Sequence, residues 1–174
     1  MIRTAVTALL LTSTVACGPT GVTPGQTPAT QAPGQPVSAL TSTGCHVVDG
    51  RADTHCTPGV RNPQVTQLNL ASTICRKGWT ATVRPPTSYT EPLKLKQMAR
   101  YGEPAPASLY ELDHIIPLEI GGSPTDPANL FPQPYAGRGA HVKDQEENSL
   151  NRAICNGRLT LAEGQAQILR DWTR

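Results

Sequence analysis

Between Glu111 and Asp144 the chain sets out residues that are able to do chemistry together. An Asp-His pair, Asp113-His114, is followed by Pro117, by the glycine pair Gly121-Gly122, by Asn129-Leu130 and by Lys143-Asp144. Imidazole is the natural proton acceptor near neutral pH. A carboxylate beside it suits Mg²⁺ or a similar hard cation, which takes oxygen ligands. Phosphodiester hydrolysis needs an activated nucleophile, neutralisation of charge on the phosphate and help for the leaving oxygen. In this reading His114 takes the proton of a water that attacks phosphorus. Asp113 and a carboxylate further along hold the divalent metal. An Asp-His pair alone is usually structural, with the carboxylate accepting a hydrogen bond from the ring. The proline, glycine pair, Asn-Leu and Lys-Asp, in that order and spacing, set this pair apart.

The surrounding elements must bring the pair to one place. Neighbouring side chains on a strand point to opposite faces, so Asp113 and His114 serve one site only if the strand ends or bends there. Pro117 and the glycine pair allow that. The apolar residues Tyr110, Leu112, Ile115 and Ile116 predict a strand over 109–118, with a turn at 121–124. A return strand is expected over 128–131 and a loop over 132–139. A helix is expected over 140–155, with Val142, Leu150, Ala153 and Ile154 as its apolar positions and Asn156-Gly157 as its stop. Thr160 to Glu163 is a capping-box pattern that opens a last helix ending near Trp172. Upstream, Trp79 to Val83 alternates bulky and small residues and predicts a short strand stopped by Pro85-Pro86. Thr90-Glu91-Pro92 predicts a helix start capped by Thr90 or Ser88, running to Tyr101 and Gly102. That helix carries Lys94, Lys96 and Arg100, the expected contacts for backbone phosphates. Trp79, Tyr110 and Trp172 are expected in the core.

Asp113-His114, Gly121-Gly122, Asn129-Leu130 and the helix after them resemble the HNH, or His-Me finger, nuclease family. The wider pattern YELDHIIPLEIGG, NLFPQP and KD resembles small exported bacterial proteins of the HNH endonuclease type. The resemblance implies an α+β fold: a small ββα-metal core with additional helices. It implies an endonuclease that depends on a divalent metal, Mg²⁺ first, and acts with little sequence selectivity on nucleic acid, DNA ahead of RNA. His114 would be the base, and Asn129 would brace the loop and keep the base oriented. Lys143 would bind phosphate or face solvent. One departure matters. Many members place a metal-binding His on the helix three residues before a Lys, and counting back from Lys143 reaches Ala140, which cannot bind metal. Asp144 is the first replacement, then His141, then Glu147. The alternative function is an inactive domain of the same fold that binds nucleic acid or a cell-envelope polymer.

The ends of the chain predict export. Arg3 supplies a basic start, and the uncharged, mostly apolar or small stretch 4–16 suits a signal-peptide core, too short to span a bilayer of roughly 30 Å as a helix. Cys17 follows Val15-Ala16 and resembles a bacterial lipoprotein processing site, which would make the membrane contact a lipid anchor only; without lipidation the protein would be secreted. Residues 17–43 form a Pro-, Thr- and Gly-rich linker with no charged residue, expected to be disordered. Residues 44–174 then form one domain, taken as a monomer. With Cys17 set aside, Cys45, Cys56, Cys75 and Cys155 remain, an even number that suggests two disulfides. Three pairings are possible, and Cys45–Cys56 with Cys75–Cys155 is favoured: the first is local, and the second ties mid-chain to the C-terminal helices. A zinc site made of these cysteines with His46 and His55 is the rival, but no C-x-x-C pair is present. From Cys75 to Tyr101 six Lys or Arg (Arg76, Lys77, Arg84, Lys94, Lys96, Arg100) face Glu91 alone, while 102–174 carries ten Asp or Glu against six Lys or Arg. That polarity fits a phosphate polymer held by one part and a metal held by another.

Overall fold

The computed structural model describes residues 44–104, 106–170 and 172. The signal-peptide, linker and Cys17 expectations lie outside the described residues. No described helix is long and apolar enough to cross a membrane.

The described residues are mixed α+β, with two small antiparallel sheets, four helices and two disulfides. The first sheet is a hairpin, β1 (Val47–Val48) and β2 (Arg51–Ala52). Asp49 and Gly50 turn it with positive φ at both positions, 51° and 75°, as a two-residue hairpin turn requires. Gly50 is also a packing necessity, since a Cβ there would stand 1.7 Å from the Arg138 carbonyl oxygen. Cys45–Cys56 staples this hairpin, and Cys75–Cys155 joins chain positions 80 residues apart. Both favoured pairings are therefore present, and the zinc reading falls because all four thiols are spent.

α1 (Trp79–Val83) occupies the segment expected to be a strand. Gly78, in the left-handed region at φ 80°, turns the chain into it, and Trp79 is buried in the main core. Tertiary burial of one large side chain outweighs the alternating pattern of five residues. α2 (Thr87–Tyr101) begins two residues before the start that a Ser88 cap would give and four before that of a Thr90 cap, behind Pro86 rather than a Ser or Thr cap. Pro92 consequently lies inside the helix. Gly102 ends it at φ 63°, with its amide on the last turn.

β3 (Tyr110–His114) and β4 (Leu130–Pro134) form the second sheet, with His114 opposite Leu130 and Asp113 opposite Phe131. The return strand starts within the expected 128–131, at Leu130, and runs on into the expected loop to take in Pro132 and Pro134. A two-stranded ribbon has only edge strands, which tolerate proline. α3 (Ala140–Cys155) follows, then α4 (Leu161–Arg170). The capping box opens α4 as expected: the Thr160 amide donates to Glu163 Oε2 at 2.8 Å, and the Glu163 amide to Thr160 Oγ1 at 3.2 Å. Val142, expected among the apolar positions of its helix, is exposed.

Two apolar clusters flank the end of β3. Ile116 joins Ile74, Trp79, Leu150, Ile154 and Ile168 on one side, and Ile115 joins Cys45, Tyr101 and Phe131 on the other. Consecutive side chains thus anchor the strand end to both cores, which fixes the backbone that carries Asp113 and His114.

Candidate active site

β3 stops at His114, and the chain bends through Pro117 into a 3₁₀ turn, Leu118–Ile120. Gly121 continues the bend at φ 80°. Gly122 lies so near the strand end that a Cβ would meet the Ile116 carbonyl oxygen at 1.7 Å. Here the glycine pair is a steric requirement of the bend.

Asn129 is fully buried at the centre of this bend. Its Oδ1 accepts from the Ile116 amide at 2.9 Å and the Val60 amide at 3.1 Å. Its Nδ2 donates to the Ser123 carbonyl at 2.9 Å and the Ile116 carbonyl at 3.0 Å. Both ends of one amide are thereby saturated. The expectation that Asn129 braces the loop matches this geometry, and its part is positioning.

His114 is buried, and its Nε2 donates to the Pro124 carbonyl at 3.1 Å. A carbonyl only accepts, so the hydrogen sits on Nε2 and Nδ1 keeps its lone pair. Burial is the main influence on the ring and holds its pKa below the ordinary histidine value; the nearby Asp113 carboxylate pulls the other way. The ring is therefore a neutral base in the physiological range.

A cleft of about 220 Å³ opens beside it, lined by Arg84, Glu111, Asp113, Glu119, Asp144 and Glu147 together with His114. Burial, and then the charges of Asp113 and Asp144, push the Glu111 carboxyl up; burial and Asp144 do the same to Glu119. The carboxylates outnumber the cations at the cleft, and their mutual repulsion shows in those shifts.

Lys143, expected to bind phosphate or face solvent, turns its ammonium inward. It is buried, and all three of its ammonium hydrogens are used. They go to Asp113 Oδ2 at 2.6 Å, to the His114 carbonyl at 2.7 Å and to Glu147 Oε1. Burial favours losing the proton, but the Asp113 and Glu147 carboxylates outweigh it and hold the ammonium well above its usual range. Glu147 gives way instead: burial first, with the Asp113 charge adding, pushes its carboxyl up to about 7. The Lys143–Glu147 spacing of four on a helix was a visible signal of this pair.

Of the three candidate replacements for the missing helix histidine, Asp144 and Glu147 line the cleft with Asp113. His141 does not: it is exposed, stacked on Tyr135 at 5.5 Å and 3.8 Å from Asp144 Oδ2. Ala140 is buried against the fold. Among the described residues no group of three or more His, Cys, Asp or Glu is arranged to hold a metal ion. The donor chemistry nevertheless suits a hard dication. Mg²⁺ is commonly held by one or two carboxylates with waters and substrate phosphate, not by a closed protein cage, and Asp113 and Asp144 share one cleft with excess negative charge.

Lys94, Lys96 and Arg100 do not line the cleft; Arg100 instead donates to the Cys56 carbonyl at 2.9 Å. Arg84 is the cation at the cleft wall, and it makes no ion pair with a described residue. In the sequence it was one of six cations with nothing to mark it. Comparison with protein-family models, curated proteins and solved structures gives no match to this chain.

Proposed function

We propose that this cleft is the active site of a divalent-metal-dependent endonuclease of the HNH type that hydrolyses phosphodiester bonds in nucleic acid, DNA ahead of RNA. The observation that carries the reading is the tethered tautomer of His114: the ring lines the cleft with the carboxylates, its Nε2 donates to the Pro124 carbonyl, and its Nδ1 is left with the lone pair that a base needs. The order β3, bend, β4, α3, with the histidine at the strand end and Asn129 bracing the bend, supports the family.

His114 Nδ1 takes a proton from water as the water oxygen bonds to phosphorus. The bond from phosphorus to the leaving sugar oxygen breaks, and that oxygen takes a proton from solvent. Arg84 neutralises charge that builds on the phosphate. Asp113, through the oxygen not held by Lys143, and Asp144 would hold the divalent cation, which supplies Lewis-acid charge neutralisation when bound. Lys143 fixes Asp113 and the His114 backbone to α3, so base and carboxylate keep one geometry.

A second reading has an observation of its own. The Lys143 ammonium already neutralises Asp113, which suits an inactive domain that binds a polymer without metal. Plasmid cleavage by the oxidised full-length chain separates the two. The assay compares Mg²⁺, Mn²⁺, Ni²⁺ and excess chelator, beside His114→Ala. Nicking that needs both metal and His114 is the expected result. Absence of nicking with every metal, from protein shown to be folded, gives the binding reading the lead.

A further inference from the structure

Next to the cleft lies a second hollow, of about 340 Å³, between the 74–80 segment and the C-terminal half of α3. The two share Glu119 and Asn148, so they adjoin one another. Their charge is opposite. The cleft wall is carboxylate, whereas the second hollow carries Arg76, Lys77 and Arg152, all exposed and none in an ion pair with a described residue. Its walls are fixed. The Cys75–Cys155 disulfide closes the far end, and Asn151 Nδ2 donates to the Glu119 carbonyl at 2.7 Å and the Ile74 carbonyl at 3.2 Å, tying segment, turn and helix together. The backbone that carries the three cations is thereby fixed, so an anion has only their side chains to order on binding.

We propose that this basic hollow is the substrate's backbone track: the strand whose phosphate is cut in the cleft continues across it, with its neighbouring phosphates on Arg76, Lys77 and Arg152. The assignment rests on the hydrolase reading of the cleft. It moves the phosphate-binding role away from Lys94, Lys96 and Arg100, which line neither hollow. An acidic cleft alone repels a polyanion, and a cationic track contiguous with it holds the polymer while the cleft works on one bond.

The test is fluorescence anisotropy with a labelled single-stranded oligonucleotide, using the full-length chain with His114→Ala so that nothing is cut. Salt is varied between about 50 and 200 mM. Adding Arg76→Ala, Lys77→Ala and Arg152→Ala should weaken binding about tenfold or more and lower the slope of log affinity against log salt by about 2, the counterion release of three single-strand phosphate contacts. Lys94→Ala with Lys96→Ala should leave both nearly unchanged. Arg76→Lys with Arg152→Lys, Lys77 kept, should retain most of the slope, which a merely unfolded variant would not allow. If the parent binds and the triple variant binds equally well, the track is wrong and the hydrolase reading stands. If the parent binds no polynucleotide, both fall. If the triple variant loses binding but wild type cuts nothing, the hydrolase reading falls, the substrate track falls with it, and the hollow is a polynucleotide-binding surface only.

Discussion

Asn129→Ala gives the sharpest test of how the site is held. The side chain is fully buried and makes four hydrogen bonds, all to backbone groups of the 60, 116 and 123 positions. At about 0.5–1.5 kcal/mol each, the sum is about 2–6 kcal/mol. Truncation leaves the buried Ile116 amide without its acceptor, and an unsatisfied donor costs more than the mean bond, so about 4 kcal/mol is expected. For a domain of this size about 4 °C accompanies each kcal/mol, which puts the fall in Tm near 15 °C. Thermal unfolding by circular dichroism, with both disulfides intact, reads this directly. Asn129→Asp refines it. The two acceptor contacts survive, but the two donations are lost and a charge is buried, so this variant should recover stability as pH falls and the new carboxyl protonates. A fall of less than about 4 °C for Asn129→Ala would refute the claim that this amide braces the bend.

Three further outcomes are expected. Glu147, held at about 7 in the fold against 4.5 for the free group, keeps its proton through a window where the unfolded chain has released it. Its contribution is therefore full below about 4.5 and is lost as pH rises through 7. Urea unfolding should show Glu147→Gln gaining on wild type by up to about 3 kcal/mol between pH 5 and 8, and parallel profiles would contradict this. Lys143→Met leaves two half-buried carboxylates without their cation and should cost about 3 kcal/mol at neutral pH, less at pH 5, measured the same way. Gly122→Ala drives a methyl group into the Ile116 carbonyl and should cost about 3 kcal/mol, with a matching loss of soluble yield.

Features set by local chemistry were legible in the sequence. Thr160 and Glu163 announce a helix start because the two residues satisfy each other's amides three positions apart. Cys45–Cys56 follows from proximity along the chain, and the Asp-His, glycine-pair and Asn-Leu order pointed to the strand, bend and strand that place His114. Features set by distant packing were not legible. Trp79 to Val83 has a strand's alternation, yet the burial of Trp79 makes it a helix. Lys143 reads as a surface cation until α3 folds over β3 and puts its ammonium between Asp113, Glu147 and the His114 carbonyl. Arg84 and the Arg76–Lys77–Arg152 group gain their meaning only when the 74–84 segment is laid against α3, which one-dimensional spacing does not encode.

Cys75 and Cys155 enclose every residue of the cleft, from Arg84 to Asn148. A protease that cuts once at the exposed 135–138 segment separates Asp113 and His114 from Lys143, Asp144 and Glu147 along the chain. The two fragments nevertheless remain one covalent molecule. The nicked protein keeps both halves of its site at the effective concentration of an intact chain, and only combined nicking and reduction releases them. Durability against a single proteolytic cut is thus built into where the long crosslink closes.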